Sequence, residues 1–443
     1  MGHVKDFREI EQTYLPHQAL LEASRCLFCH DAPCSNACPA GIDVAGFIRR
    51  LKSGNRAGAA QLIFQANVLG DTCSRVCPVE TLCQEACSHT ELLEPIQIGR
   101  LQRYAWEKGH SHLDVAPALT KTREMKVAAV GAGPAGLAAA AELTRLGYKV
   151  EVFEATSRAG GVLATGIPAY RLPRSVVEGE VDLIRRLGVK ISYNQGFDGQ
   201  LNPDALRAKG FRAIFLGTGL GQSVRAQIPG EDLKGVFWAK ELLWAIKEDP
   251  GSHKDLCAKL GRRVAVIGGG NVAIDTACSL LRLGADRVEM VCLEGPQEMP
   301  AFPSEVRFAW DDGVEFHTRS KPLRILGEGG RVVGMEGVGI RWKKPGLFVP
   351  DNAVVIEGTE FQLRVDSLVE AIGQRPDETV AKIYGLETSP AGLVIVDSET
   401  GQTSNPSVFA GGDVVNGGAT VVQAVAEGKR AARGIHRYLQ ENR

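Results

Sequence analysis

The chain is 443 residues long, 44% hydrophobic and 23% charged, with a formal net charge of −1. That length supports roughly two to four domains with ample core, and the balanced charge argues against nucleic acid or an anionic membrane as partner. The longest uncharged stretch beside a glycine motif, Val127 to Ala141, is 15 residues broken by glycines and a proline, too short for a membrane span.

The opening segment, MGHVKDFREIEQTY, lacks the apolar core of a secretory signal, so a reducing, cytoplasmic location is expected. Eight of the eleven cysteines follow between positions 26 and 87, in two runs. The first is Cys26-x2-Cys29-x4-Cys34-x3-Cys38-Pro39; the second comprises Cys73, Cys77-Pro78, Cys83 and Cys87. In a reducing compartment these read as metal ligands rather than disulfides. A four-cysteine run ending in Cys-Pro is a ferredoxin-type signature, in which the fourth cysteine commonly serves a different cluster. Cys26-x2-Cys29 alone would suit a zinc knuckle, so structural zinc is the competing reading. His30 and His89 adjoin these cysteines and are read as neighbours rather than ligands. Helices are expected over Ile42–Lys52 and Ala57–Asn67, and Gly109–Thr122 reads as a linker.

Beyond it the texture changes to strands, glycine turns and alanine-rich helices. The strand at 126–130 leads into Gly131-Ala-Gly133-Pro134-Ala135-Gly136, with Glu154 at the end of the next strand. The first glycine permits the tight turn, the second admits a pyrophosphate and the third lets helix pack on strand; the acid suits a ribose diol. Phe215-Leu-Gly217-Thr-Gly219 and Phe409-Ala-Gly411-Gly412-Asp413 resemble the strand-turn signatures of two-dinucleotide-domain flavoproteins. That resemblance implies further flavin contacts at Gly161, Val162, Leu163, Arg171, Phe197 and Gly219, and near the C-terminus at Gly412, Asp413, Ala419, Thr420 and Val421. A second unit of the same kind, 263–294, echoes 126–154, and carries Gly268-x-Gly270-Asn271-Val272-Ala273. With Glu294, Ala371, Ile372 and Gly373 it forms the expected nicotinamide site. NADPH sites place arginine or lysine at the end of that second strand. Here Cys292-Leu293-Glu294-Gly295 stands there, with no basic residue before Arg307, so NADH is expected. Counted strand to strand, Glu154 matches Cys292, two residues short of Glu294.

The fold expected is α/β: an N-terminal helical iron–sulfur domain, then two Rossmann-like domains, the second inserted in the first. The boundaries are 1–121 for the cluster domain, 122–221 with 375–443 for FAD, and 222–374 for NAD. Clusters move single electrons, a flavin takes two and passes them singly, and nicotinamide gives only pairs. Hydride transfer needs positioning more than acid–base groups, so no catalytic dyad is expected.

The run ASRCLFCHDAPCSNACP, then VCPVETLCQEAC and PIQIGRLQRYA, followed by the flavin motifs, resembles the dihydropyrimidine dehydrogenase family. The likeness is to its N-terminal half and to the small flavin subunit of the bacterial NAD-dependent form; the glutamate synthase small subunit shares the architecture. The resemblance implies two [4Fe–4S] clusters with interleaved ligands: Cys26, Cys29, Cys34 and Cys87 for one, and Cys38, Cys77, Cys83 and Gln102 for the other. Cys73 is then not a ligand, although it remains the alternative fourth. The resemblance also implies NADH oxidation at FAD and delivery of electrons through the clusters to an FMN- and iron–sulfur-containing subunit, in a heterotetramer, that handles uracil or thymine. The chain has no room for that FMN barrel, so it is expected to be one subunit, and a glutamate synthase small subunit is the other reading.

Overall fold

The computed structural model describes residues 6–115, 123–196, 201–248 and 253–442. The cysteine block is helical. Asp43 accepts a hydrogen bond from Gly46 N–H and so starts the helix Val44–Lys52; Asn55 does the same through Gly58 for Arg56–Ala66. Phe47, Ile48, Ile63, Phe64 and Leu101 are almost fully buried between these helices and Ile98–Gly109, and Phe64 meets Trp106 at 6.2 Å between ring centroids. Each such side chain contributes about 1.5–3 kcal/mol by leaving water.

After Lys126 the chain builds a five-stranded parallel sheet, ordered Val408–Ala410, Phe211–Leu216, Lys126–Val130, Lys149–Phe153, Lys190–Ser192. The late strand Val408–Ala410 thus completes a sheet begun nearly 300 residues earlier, because Phe211–Leu216 offers it a buried, apolar edge. Helices Pro134–Arg145 and Val421–Glu441 pack side by side over this sheet, the first on Lys126–Val130 and Lys149–Phe153, the second on Phe211–Leu216 and Val408–Ala410.

The second five-stranded parallel sheet is ordered Val236–Trp238, Ser367–Glu370, Arg263–Ile267, Arg287–Val291, Glu315–His317. From its last strand the chain runs into an antiparallel hairpin, Ser320–Glu328 with Arg331–Trp342. This inserted fold, Ser223–Gln374, forms one compact unit together with Thr165–Tyr170 and residues 6–8. The cysteine block and the first sheet form the other, comprising Glu9–Ala164, Arg171–Gln222 and Arg375–Arg443. Among the described residues no helix is long and apolar enough to cross a membrane.

Candidate functional site

Cys26, Cys29, Cys34 and Cys87, drawn from both runs, line one small cavity walled by Leu27, Ile48 and other apolar side chains. The loop that begins it turns through two left-handed residues, Phe28 (φ 52°) and Asp31 (φ 50°). That strain is held by Arg49 and Lys52 against the Phe28 ring, 5.4 and 5.1 Å from its centroid, and by Asn36 donating to Asp31 at 2.9 Å. Burial, with the neighbouring Cys87 and Cys26 sulfurs, pushes the Cys34 thiol up to about 11. Cys26 is raised for the same reasons, by burial first and then by Cys87 and Cys29.

Cys38, Cys77 and Cys83 form a second group. A hydrogen bond with Cys73 raises the Cys77 thiol most, followed by burial and by Cys73, Cys83 and Cys38 as charged neighbours. Burial and the Cys38 and Cys34 sulfurs push Cys83 up to about 12. Gln102 is buried and donates from Nε2 to Gly70 O at 2.7 Å, leaving the carbonyl oxygen as the atom free to face another group. Cys73 receives Asn67 Nδ2 at 3.2 Å. Among the described residues no three histidine, cysteine or acidic side chains close on a single metal-ion position. Cys26, Cys29, Cys34 and Cys87 instead border apolar space, where a cationic centre would offset the repulsion between neighbouring thiolates. These residues therefore fit iron–sulfur clusters.

The cysteine block is tied to the fold of the first sheet through buried polar contacts. Glu180, 1% exposed, accepts from Asp71 N at 2.7 Å, Thr72 N at 3.1 Å and the Thr72 hydroxyl, capping the helix that carries Cys73. The last carbonyls of Arg56–Ala66 receive two cations: Arg145 donates to Phe64 O and Gln65 O, both at 2.9 Å, and Lys429 to Ala66 O at 2.6 Å and Ala40 O at 2.7 Å. Cations suit a helix C-terminus, at about 0.3–1 kcal/mol each. Nothing local in the sequence marks Glu180, Arg145 or Lys429 for these roles, since their partners lie from about 80 to nearly 400 residues away.

At the first glycine turn, Gly131 has φ +98°, and a β-carbon there would lie 2.4 Å from Gly217 O; one on Gly136 would lie 2.0 Å from Gly131 O. Pro134 and Ala135 open the helix whose N-terminal N–H groups the turn presents. Glu154, 7% exposed, accepts from Ala132 N at 2.9 Å and from Thr156 N and Oγ1, which fixes its carboxylate over the turn. Gly161 backs Gly133 (2.9 Å from a β-carbon to its Cα), Val162 and Leu163 begin a short helix, and Gly219 has φ +65° with open space around it. Gly412, φ +79°, stands 2.9 Å by the same measure from Ala135 Cβ and donates to Glu427 Oε2 at 2.6 Å. Asp413, its carboxyl raised by burial, accepts from Ala419 N at 3.4 Å, and Thr420 caps the last helix ahead of Val421. Those residues gather from three separated segments. Arg171 lies in the same compact unit, and Phe197 falls outside the described residues.

In the inserted fold Gly268 has φ +134°, and a β-carbon there would lie 2.4 Å from Ala371 O. Gly270 caps helix Asn271–Leu283, Asn271 Oδ1 accepts from Phe302 N at 2.8 Å, and Val272 and Ile372 are exposed beside the turn while Gly373 has φ +116°. Gly131 N donates to Phe153 O and Gly268 N to Val291 O, so Cys292 is the register equivalent of Glu154. Glu294 nevertheless bends back: its Oε2 would lie 2.9 Å from a β-carbon on Gly269. Burial raises its carboxyl. Three residues not among the sequence candidates stand beside it. Glu298 accepts from Gly295 N at 2.8 Å and from Trp342 Nε1 at 2.9 Å, and pairs with Arg319. No signal short of the hairpin's topology brings Arg319 and Trp342 to this loop.

Comparison with known proteins adds the following. Residues 3–113 match the family described as dihydropyrimidine dehydrogenase domain II, 4Fe-4S cluster, and 125–428 match pyridine nucleotide-disulphide oxidoreductase. The chain is 38% identical to the NADP(+)-dependent formate dehydrogenase subunit beta of Moorella thermoacetica, over 93% of this chain and 60% of that protein. It thus spans less than two thirds of that relative's length. It is 37% identical to the NAD-dependent dihydropyrimidine dehydrogenase subunit PreT homolog of Salmonella typhi, over 98% of this chain and 97% of that one. Identity to the glutamate synthase [NADPH] small chain of Escherichia coli is 34%, over 98% and 94%. Mycobacterium tuberculosis FprA shares the fold, with a TM-score of 0.60 at 18% identity over 72% of this chain and 85% of that one.

Proposed function

Because the chain belongs to the pyridine nucleotide-disulphide oxidoreductase family, in the branch with an N-terminal 4Fe-4S domain, we propose that it is the electron-input subunit of an NAD-dependent dihydropyrimidine dehydrogenase. It is a flavin and iron–sulfur oxidoreductase, with FAD, a nicotinamide and [4Fe–4S] clusters as its cofactors. In this reading it oxidises NADH and feeds an FMN- and iron–sulfur-containing partner that interconverts uracil or thymine and 5,6-dihydropyrimidines, the two forming a heterotetramer. The domains are taken as 1–121 for the clusters, 122–221 with 375–443 for FAD and 222–374 for NAD. Eleven free cysteines fit a reducing, cytoplasmic setting.

When bound, the flavin and clusters supply the exchange of an electron pair for single electrons. The chain's own part is to bind, orient and shield. Gly131, Gly133 and Gly136 let a pyrophosphate approach the helix N-terminus, and Glu154 offers acceptors to a ribose. Cys26, Cys29, Cys34 and Cys87 would hold one cluster; Cys38, Cys77, Cys83 and Gln102, through its carbonyl oxygen, the other. The observation that carries the reading is the first of these sets, four thiols from two distant runs around one cavity, in the same compact unit as the flavin fold.

The purified chain should reduce artificial acceptors with NADH and show no turnover of uracil or thymine. Pyrimidine turnover by the chain alone would sink the division of labour. The likeness to the glutamate synthase small chain supports a second reading, in which the copurifying partner is a large synthase rather than an FMN protein.

A further inference from the structure

The root of the hairpin Ser320–Glu328/Arg331–Trp342 lies against the loop after the second strand of the inserted fold. Arg319 immediately precedes the hairpin. Its backbone is left-handed (φ 52°), its N–H donates to Glu294 O at 3.1 Å, and its Nε would lie 3.0 Å from a β-carbon on Gly295. That strained backbone aims a guanidinium at the loop where an adenosine ribose is read, the loop whose Glu294 reaches back over Gly269. A cation at this point is what a 2′-phosphate requires.

The guanidinium is already engaged. Glu298 pairs with Arg319 while the same carboxylate takes Gly295 N and Trp342 Nε1, and the Trp342 ring lies 5.6 Å from the arginine carbon. Three donors from three segments thus hold one carboxylate against one cation. We infer that the hairpin root is a masked 2′-phosphate site, in which Glu298 neutralises Arg319 and so sets the choice of nicotinamide cofactor. The inference deepens the NADH reading and rests on it. Cofactor preference then comes from an internal counter-ion as well as from the absence of a basic residue at 292–295, and loss of one negative charge should unmask the cation.

Glu298→Gln is the test, since glutamine keeps an acceptor for Gly295 and Trp342 but not the charge. The ratio of kcat/KM for NADPH to that for NADH should rise about tenfold over the unsubstituted protein, the scale of one charge-assisted contact. Affinity for adenosine 2′,5′-bisphosphate relative to adenosine 5′-monophosphate, measured by calorimetry on the intact protein, should rise with it. Adding Arg319→Met to Glu298→Gln should return both ratios to their starting values. An unchanged ratio in Glu298→Gln would overturn the inference, as would a gain that survives Arg319→Met. If the unsubstituted protein itself favours NADPH, the NADH reading fails, whatever the variants do.

Discussion

Gly428 of the last helix lies directly on the carbonyl of Ala135 in the flavin-fold helix; a β-carbon at 428 would sit 2.2 Å from that oxygen. The two helices cross at this point because neither carries a side chain there larger than a methyl group, and Gly412 lies beside Ala135 at the N-terminus of Pro134–Arg145.

Gly428→Ala should therefore force the helices apart. Overpacking of this kind costs about 1–3 kcal/mol. We expect a lower melting temperature together with weaker retention of flavin, read as visible absorbance after gel filtration. A variant that melts lower yet keeps its flavin would separate the crossing from the cofactor site.

Cys34→Ala and Cys87→Ala, although in different runs, should abolish the same cluster, since both thiols line one cavity. Cys73→Ala should leave both clusters in place, and Gln102→Ala should perturb the one held by Cys38, Cys77 and Cys83. Iron content and low-temperature spin resonance of the four variants decide this. Loss of a cluster in Cys73→Ala with none in Gln102→Ala would transfer the fourth ligand to Cys73.

NADH should be preferred over NADPH by at least about tenfold in kcat/KM, because a charge-assisted pair to the 2′-phosphate is worth about 1.5–3 kcal/mol. Leu293→Arg combined with Glu294→Arg should narrow or reverse that preference. Steady-state kinetics with both cofactors is the measurement, and equal use by the unsubstituted protein would refute the assignment.

Glu370, 2% exposed, ends the strand beside the Gly268 turn and accepts from Ala226 N at 3.2 Å. Burial first, and Glu231 second, push its carboxyl from 4.5 up to about 7. With the folded-state value raised, the protonated form is favoured in the native protein. That stabilisation is complete below the ordinary carboxylate range and is lost as pH rises through about 7. Glu370→Gln should flatten the fall in thermal stability across this window and exceed the unsubstituted protein at about pH 8. A parallel fall in both proteins would remove Glu370 from the account.

Much of the site was legible because its parts are written locally. A glycine that needs positive φ or a close approach, such as Gly131 or Gly268, announces itself by type and spacing, and the cysteine runs do the same. Helix ends were read only to within a residue or two. Ile42–Lys52 begins at Val44 because Asp43 caps it, and Ala57–Asn67 is Arg56–Ala66 because Asn55 does. The expected linker Gly109–Thr122 is in part a tight helical turn, His110–His112, and 116–122 lie outside the described residues. What stayed hidden is tertiary. Lys429 looks like any polar residue of a long helix until Ala40 and Ala66 are beside it, and Arg319 gains its meaning only when the hairpin folds back to Glu298.

A ribosome must deliver more than four hundred residues before Val408–Ala410 can close the flavin sheet. By then the stretch Ser223–Gln374 has left the exit tunnel and can fold as its own body. Until that moment Phe211–Leu216 is an unpaired, apolar strand edge, the kind of surface that recruits other chains. Closure of this sheet is accordingly a late event in the life of the polypeptide. Translational stalling ahead of residue 408 would leave a product with its inserted sheet formed, its first sheet open and a strong claim on chaperones.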